Sequence, residues 1–120
     1  MLGHLGSVNP TVVTISNPDR QLHDAQGALN DSLVIEGPGE YSIAGIYIQG
    51  VMTPVASGQS YEIINTAYVM EAEGLTLCHL GADLNTMLPT AFMSELTPID
   101  VLFMPIGGDA TLSMKQAAAT

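Results

Sequence analysis

The stretch LVIEGPGEYSIAGIYIQGVM, from Leu33 to Met52, decides the fold of this chain because it alternates short apolar runs with two tight turns. Gly37-Pro38-Gly39 ends the first run, since proline fixes φ and glycine tolerates positive φ. Ala44-Gly45 separates Tyr41–Ile43 from Ile46–Met52 with the spacing of a β-hairpin. The pattern predicts three consecutive strands.

Outward from this stretch, further apolar runs extend the pattern. Thr11–Ser16 is β-branched and bounded by prolines, which predicts a buried strand. Tyr61–Glu71 and Leu75–Leu80 are predicted strands joined by a turn at Gly74, so the middle of the chain should be a β-meander with one apolar face. Asp100–Ile106 is a continuous apolar run, which favours another buried strand.

Three segments suit helices instead. Asp19–Asn30 is polar and fits a loop or a short helix, and Thr86–Leu96 has apolar residues near helical spacing. Thr111–Ala119 begins with a capping hydroxyl and continues into alanines, which predicts a third helix. We therefore predict an α+β or mixed α/β class, mostly β-meander with two to three helices, in one domain over residues 1–120.

The composition sets limits on partners. Twelve acidic residues face two basic ones, and the net charge of −10 argues against binding to nucleic acid or to an anionic membrane surface. Only 12% of residues are charged, against about 25% in an average domain. That shortage favours either self-association as a homo-oligomer or a compact domain with an uncharged polar surface.

Other features concern the compartment. The single cysteine, Cys78, excludes an internal disulfide and a cysteine-rich zinc site, and we expect a buried, inert thiol. The start MLGHLGSVNP has no basic region and no long apolar run, so it does not resemble a signal peptide. We expect a cytoplasmic protein.

Three segments together resemble the metallo-β-lactamase-fold hydrolases, in particular the small zinc-dependent hydrolases similar to L-ascorbate-6-phosphate lactonase. Val34–Ile46 is similar to the pattern "gPGEYei.Gi.i", and Asn65–Gly81 to "Nt.yvie.eGlrich.GD". Ile99–Gly108 is similar to "vDvllvPvGg". The resemblance implies a partial αββα sandwich in which loops at the strand ends collect metal ligands.

The family's main zinc motif, H-x-H-x-D-H, is replaced in this chain. The resemblance aligns its first two histidines with Asn17 and Asp19, its aspartate with Gln21 and its last histidine with Leu22. Leucine cannot ligate, amides are poor zinc ligands, and Arg20 places a positive charge where a cation would bind. The resemblance therefore implies a zinc site, whereas these residues predict that no metal cofactor is bound.

Four residues remain candidates for a rebuilt site. Asp83 lies one residue beyond the family's bridging aspartate, and Asp19 with His23 can form a cation site in the polar loop. His79 is a candidate contact to a substrate or to a metal ligand. The structural alternatives are a helix cap or loop acid for Asp83, a solvated loop for Asp19 and His23, and a half-buried strand residue for His79.

Three hypotheses follow. The first is a non-catalytic homologue with a binding or assembly role and an unknown small-molecule ligand. The second is a metal-dependent hydrolase of a small ester, lactone or phosphodiester, with a site rebuilt from the four candidates or completed by a second subunit. The third is a fragment of a longer gene product, because the alanine-rich end stops inside an apparent helix. Ser16 has no histidine at a suggestive sequence spacing, so a serine nucleophile is not predicted.

Overall fold

The structure, a computed structural model, describes residues 8–17, 31–53, 65–81, 94 and 98–105. Short apolar runs separated by tight turns form seven strands in this part of the chain. They are β1 (Val12–Ile15), β2 (Leu33–Glu36), β3 (Gly39–Ile43), β4 (Ile46–Thr53), β5 (Asn65–Ala72), β6 (Leu75–His79) and β7 (Val101–Phe103).

The strands form two sheets. β1 and β2 are parallel and make a two-stranded sheet, whereas the other five form a sheet in the order β3-β4-β5-β6-β7. Neighbours from β3 to β6 are antiparallel, and β7 runs parallel to β6. The predicted β-meander in the middle of the chain is confirmed.

Two hairpin turns of the same type fix the register of two strand pairs in the meander. Ala44 and Gly45 have φ of 51° and 79°, and Glu73 and Gly74 have the same two values. Two consecutive positive φ angles in a two-residue loop define a type I′ turn, whose twist matches that of the adjoining strands. The register of β3 with β4 and that of β5 with β6 are thereby set by two short loops.

The core lies on both faces of the five-stranded sheet, so the expectation of one apolar face is wrong. On one face, Ile48 and Tyr68 pack against Ile35 of β2, so the small sheet covers the middle of the large one. The opposite face contains a second buried cluster, whose members are Ala67, Val69, Cys78 and Leu80. The expectation of a buried thiol at Cys78 is confirmed, because its exposure is 0%.

The prediction of an α+β or mixed α/β class is wrong for the part of the chain that the structure describes, because all seven elements there are strands. The helices behind that prediction were placed at 19–30, 86–96 and 111–119. These segments lie outside the described residues, apart from Ser94, a single helical residue. The described residues instead carry the two-residue alternation and tight turns of a sheet.

The segment Asp100–Ile106 was predicted to be a buried strand; the strand is confirmed as β7, whereas its burial is wrong. β7 covers three residues, and Val101, Leu102 and Phe103 are exposed by 40%, 45% and 49%. The apolar run is consistent with a strand but does not reveal its place in the sheet. β7 is an edge strand, paired in the described part of the chain with β6 alone.

Candidate functional site

Several strands end close together at one end of the two sheets. Ser16 follows β1, and its carbonyl accepts the Thr66 N–H at 2.8 Å. The Leu80 N–H, just after β6, donates to the carbonyl of Phe103 at 3.1 Å. We call the polar residues gathered here, together with the glycine beside them, the strand-end cluster. Its members are Ser16, Asn17, Asn65, His79 and Gly81.

Tyr68 connects the two sheets beside this cluster. Its hydroxyl is fully buried and lies 3.0 Å from the Ile15 carbonyl and 3.2 Å from the Ile35 carbonyl. It also accepts the Gly37 N–H at 3.0 Å. Burial raises the pKa of Tyr68, so the hydroxyl keeps its proton and donates it to one of these carbonyls. One side chain thus fixes the ends of β1 and β2 over β5.

The buried side chain of Asn65 connects the strands beneath the cluster by hydrogen bonds. Its Nδ2 donates to Thr53 Oγ1 at 2.6 Å and to the Leu80 carbonyl at 2.9 Å, and all of these groups are buried. Gly81 lies directly against it: a Cβ there would overlap Asn65 Oδ1 and would be 2.9 Å from the Ser16 Cβ. Gly81 also has φ of 82°. The cluster therefore requires glycine at this position, for space and for backbone conformation.

His79 is the titratable group of the cluster. Its Nδ1 accepts the Gly81 N–H at 3.0 Å, and its ring stacks on Phe103 with centroids 6.0 Å apart. Although the residue as a whole is exposed, desolvation of the ring lowers the pKa of His79 below its usual value of 6.5. The hydrogen bond at Nδ1 favours the same neutral form. His79 therefore carries its proton on Nε2 and can donate it to a ligand.

The structure brings Ser16 to His79, which the sequence spacing did not predict. Ser16 Oγ lies 3.5 Å from His79 Nδ1. That distance is long for a hydrogen bond, and the same nitrogen already accepts the Gly81 N–H. Nδ1 is therefore not available as a base toward Ser16. The pair offers a hydroxyl and an N–H to a polar ligand, but the geometry does not support a serine nucleophile.

The comparisons with known proteins agree on one family. The sequence profile of the Beta-lactamase superfamily domain matches residues 3–120. This chain belongs to that superfamily. It is similar to a UPF0173 metal-dependent hydrolase from Staphylococcus carnosus, with 25% identity over 116 residues, which cover 92% of this chain and 50% of the relative.

A solved structure places this superfamily member in the metallo-β-lactamase branch, as the resemblance predicted. It is the crystal structure of a Thermotoga maritima protein assigned to the Zn-dependent hydrolases of the metallo-β-lactamase superfamily. The TM-score is 0.70 and the identity 33%, over 94% of this chain and 53% of that chain. The chain thus spans about half the length of both relatives.

The metallo-β-lactamase superfamily implies a metal ion, so we compare the donor atoms at the strand ends with the ligands of known zinc sites. Within residues 8–17, 31–53, 65–81, 94 and 98–105, no three side chains of histidine, cysteine, aspartate or glutamate lie close enough to hold an ion. The cluster offers one imidazole, whose Nδ1 is occupied, and the carboxamides of Asn17 and Asn65. These described residues do not fit a catalytic zinc ion.

Of the four predicted site residues, the structure places one. His79 lies in the strand-end cluster, whereas Asp19, His23 and Asp83 lie outside the described residues. Asn17, aligned by the resemblance with the family's first histidine, is 2% exposed and directly follows β1 and Ser16.

Sequence reasoning missed the roles of Asn65 and Tyr68 in this superfamily member. Both lie within the segment that carried the resemblance, but a single sequence does not show which polar residue of a strand is buried. A signal was available in the glycine at position 81 directly after a strand, since glycine there indicates a close approach by another group.

The described part of the chain also holds a shallow cleft at the other end of the large sheet, beside the hairpin turns. It is lined by residues that include Tyr47, Glu71, Glu73 and Asp100. Burial raises the pKa of Tyr47, and the nearby carboxylate of Glu40 adds to the effect. The negative charges of this cleft are thus separated from the strand-end cluster.

Proposed function

We propose that this chain is a non-catalytic member of the metallo-β-lactamase-fold hydrolases, with a binding or assembly role. The observation that carries the proposal is Asn17, a buried carboxamide at the end of β1, where the resemblance aligns the family's first zinc-binding histidine. The sequence continues with Gln21 and Leu22 at two further ligand positions of that motif. Neither a leucine nor a neutral amide replaces an imidazole at zinc.

The strand-end cluster supports a binding role. His79 presents an Nε2–H, Ser16 presents a hydroxyl, and Phe103 presents an aromatic face beside them. Two donors next to an apolar surface suit a small molecule with a hydrogen-bond acceptor at one end. We propose that this ligand is bound without a metal cofactor, in the cytoplasm, by a protein that associates with itself rather than with nucleic acid or membranes.

Metal content tests this proposal. The full chain, purified without chelator, should contain far less than one equivalent of zinc, manganese or iron by elemental analysis. A near-stoichiometric amount of any of the three would overturn it. His79→Ala should show the same low content as the native chain, because His79 is not a ligand in this account.

A second candidate function is favoured by the relatives. Both similar proteins are described as metal-dependent or Zn-dependent hydrolases. Under this alternative the chain hydrolyses a small ester, lactone or phosphodiester. Its metal site is rebuilt from Asp19, His23, His79 and Asp83, or is completed by a second subunit.

Hydrolysis assays separate the two candidates. The chain is incubated with generic esterase and phosphodiesterase substrates in the presence of zinc, manganese or iron. Activity that is lost in both His23→Ala and Asp83→Ala would support the hydrolase. A non-catalytic protein is expected to show no activity with any of the three metals.

A further inference from the structure

Among the residues that the structure describes, none protects the outer edge of β7 in the way that edge strands are usually protected. Such strands usually carry a charged side chain, a proline or a bulge that prevents another chain from pairing. β3, the opposite edge of the same sheet, has the exposed Glu40. β7 consists of Val101, Leu102 and Phe103, all exposed and all apolar.

Asp100, the charged residue nearest to β7, is directed to the inner side. Its Oδ2 accepts the Thr76 N–H at 2.8 Å, and its own N–H donates to the Thr76 carbonyl at 2.9 Å. Both bonds point toward β6. The carboxylate therefore stabilises the junction between β6 and β7 and does not protect the outer edge.

An apolar patch adjoins this edge on the face of the large sheet that carries the small sheet. In the register of β6 and β7, Val101 is opposite Leu77 and Phe103 is opposite His79. Leu75 is two residues before Leu77 on β6, so its side chain lies on the same face, and it is 52% exposed. None of these side chains is charged at neutral pH, since the pKa of His79 is lowered. The patch itself therefore brings no charge into a contact with a second chain of net charge −10.

We propose that β7 pairs with β7 of a second copy of this chain, antiparallel and around a two-fold axis at Leu102. This interface rests on the proposed function and defines a surface for its assembly role. Val101 then lies opposite Phe103 of the partner subunit, and the two Leu102 side chains face each other. The two five-stranded sheets become one sheet of ten strands. A two-fold axis makes the contact self-complementary, so it closes at the dimer.

The exposed, apolar and uncharged edge suits a second copy of this acidic chain as the partner. A three-residue strand and its patch are small beside the roughly 800 Å² that each partner buries in a standard interface. We therefore expect a dimer that dissociates at micromolar concentrations.

Cross-linking tests the register directly. Residues directly opposite each other across antiparallel strands have Cα atoms about 4.5–5.5 Å apart, which suits a disulfide. Leu102→Cys should therefore form a disulfide-linked dimer under mild oxidation. Native Cys78 is buried and gives little background. Leu33→Cys is the matched control, because Leu33 is exposed by 49%, close to the 45% of Leu102, but lies in the small sheet. A Leu33→Cys dimer forming as readily would overturn the proposal.

Sedimentation equilibrium gives the second measurement. The native chain should be dimeric at about 100 μM, and Leu102→Lys should weaken the dimer at least tenfold by placing two lysines opposite each other. Leu33→Lys should change the dissociation constant by less than twofold. A native chain that stays monomeric, as expected if further residues of a longer gene product cover β7, would overturn the proposal. Stoichiometric metal in a β7 dimer would instead overturn the non-catalytic function and leave the interface standing.

Discussion

Tyr68→Phe should destabilise the fold far more than its small chemical change suggests. The substitution removes one oxygen and keeps the ring, which is fully buried between the two sheets. The hydroxyl donates one hydrogen bond to a carbonyl of Ile15 or Ile35 and accepts one from the Gly37 N–H. Losing the donated bond costs about 1 kcal/mol, and a buried N–H left without its acceptor costs about 1–3 kcal/mol. We expect a total loss of about 2–4 kcal/mol in the free energy of unfolding.

Urea denaturation at one fixed protein concentration measures this loss. With a denaturant slope of about 2 kcal/mol/M, the midpoint should fall by about 1–2 M while the slope stays the same. Tyr41→Phe is the matched control, because the Tyr41 hydroxyl is exposed and lies 3.5 Å from the Pro38 carbonyl. That variant should stay within about 0.5 kcal/mol of the native chain. Equal effects of the two substitutions would refute the role assigned to Tyr68.

Three further predictions concern the strand-end cluster and the core. Gly81→Ala should lower the free energy of unfolding, measured by urea denaturation, by about 1–3 kcal/mol more than Gly74→Ala. Both glycines have positive φ, but only Gly81 has neighbours in the space of the new methyl group. Equal losses would contradict the close approach of Asn65. The NMR titration of His79 should give a pKa below 6.5, and stability should fall as pH drops below 6.5, since the unfolded chain binds that proton more readily; an ordinary or raised pKa would contradict the desolvated ring. Burial raises the pKa of Cys78 to about 11, so stability should fall as pH rises from 9 to 11, because the thiol of the unfolded chain ionises first. At pH 8, Cys78 of the native chain should resist alkylation, whereas Cys78 of the unfolded chain should react. Rapid labelling of the native chain would show that the thiol is accessible.

The sequence predicted the strands well because their signals are local. Alternating apolar residues and the pairs Ala44-Gly45 and Glu73-Gly74 set the meander and its register within a few residues of each other. The exposure of β7 was not predictable in the same way, since a continuous apolar run has the same pattern at an edge and in the centre of a sheet.

The candidate site was predicted only in part, because it depends on contacts between distant residues. Ser16 and His79 are 63 residues apart in the sequence and meet where β1 ends beside β6. Tyr68 and Gly37, 31 residues apart, meet for a similar reason. The replacement of the zinc motif could be found from the sequence alone, whereas the burial of Asn17 at that position required the structure.

Zinc retention tests the central claim, that the metal centre of the superfamily has been lost from this chain, most directly. The full chain is dialysed against excess zinc, passed over a desalting column and measured by elemental analysis beside a protein with an intact H-x-H-x-D-H motif. We predict that the reference protein retains zinc near stoichiometry and that this chain retains less than about one tenth of an equivalent, as expected where an amide and a leucine replace imidazoles. Retention of one zinc ion or more per chain would contradict the account.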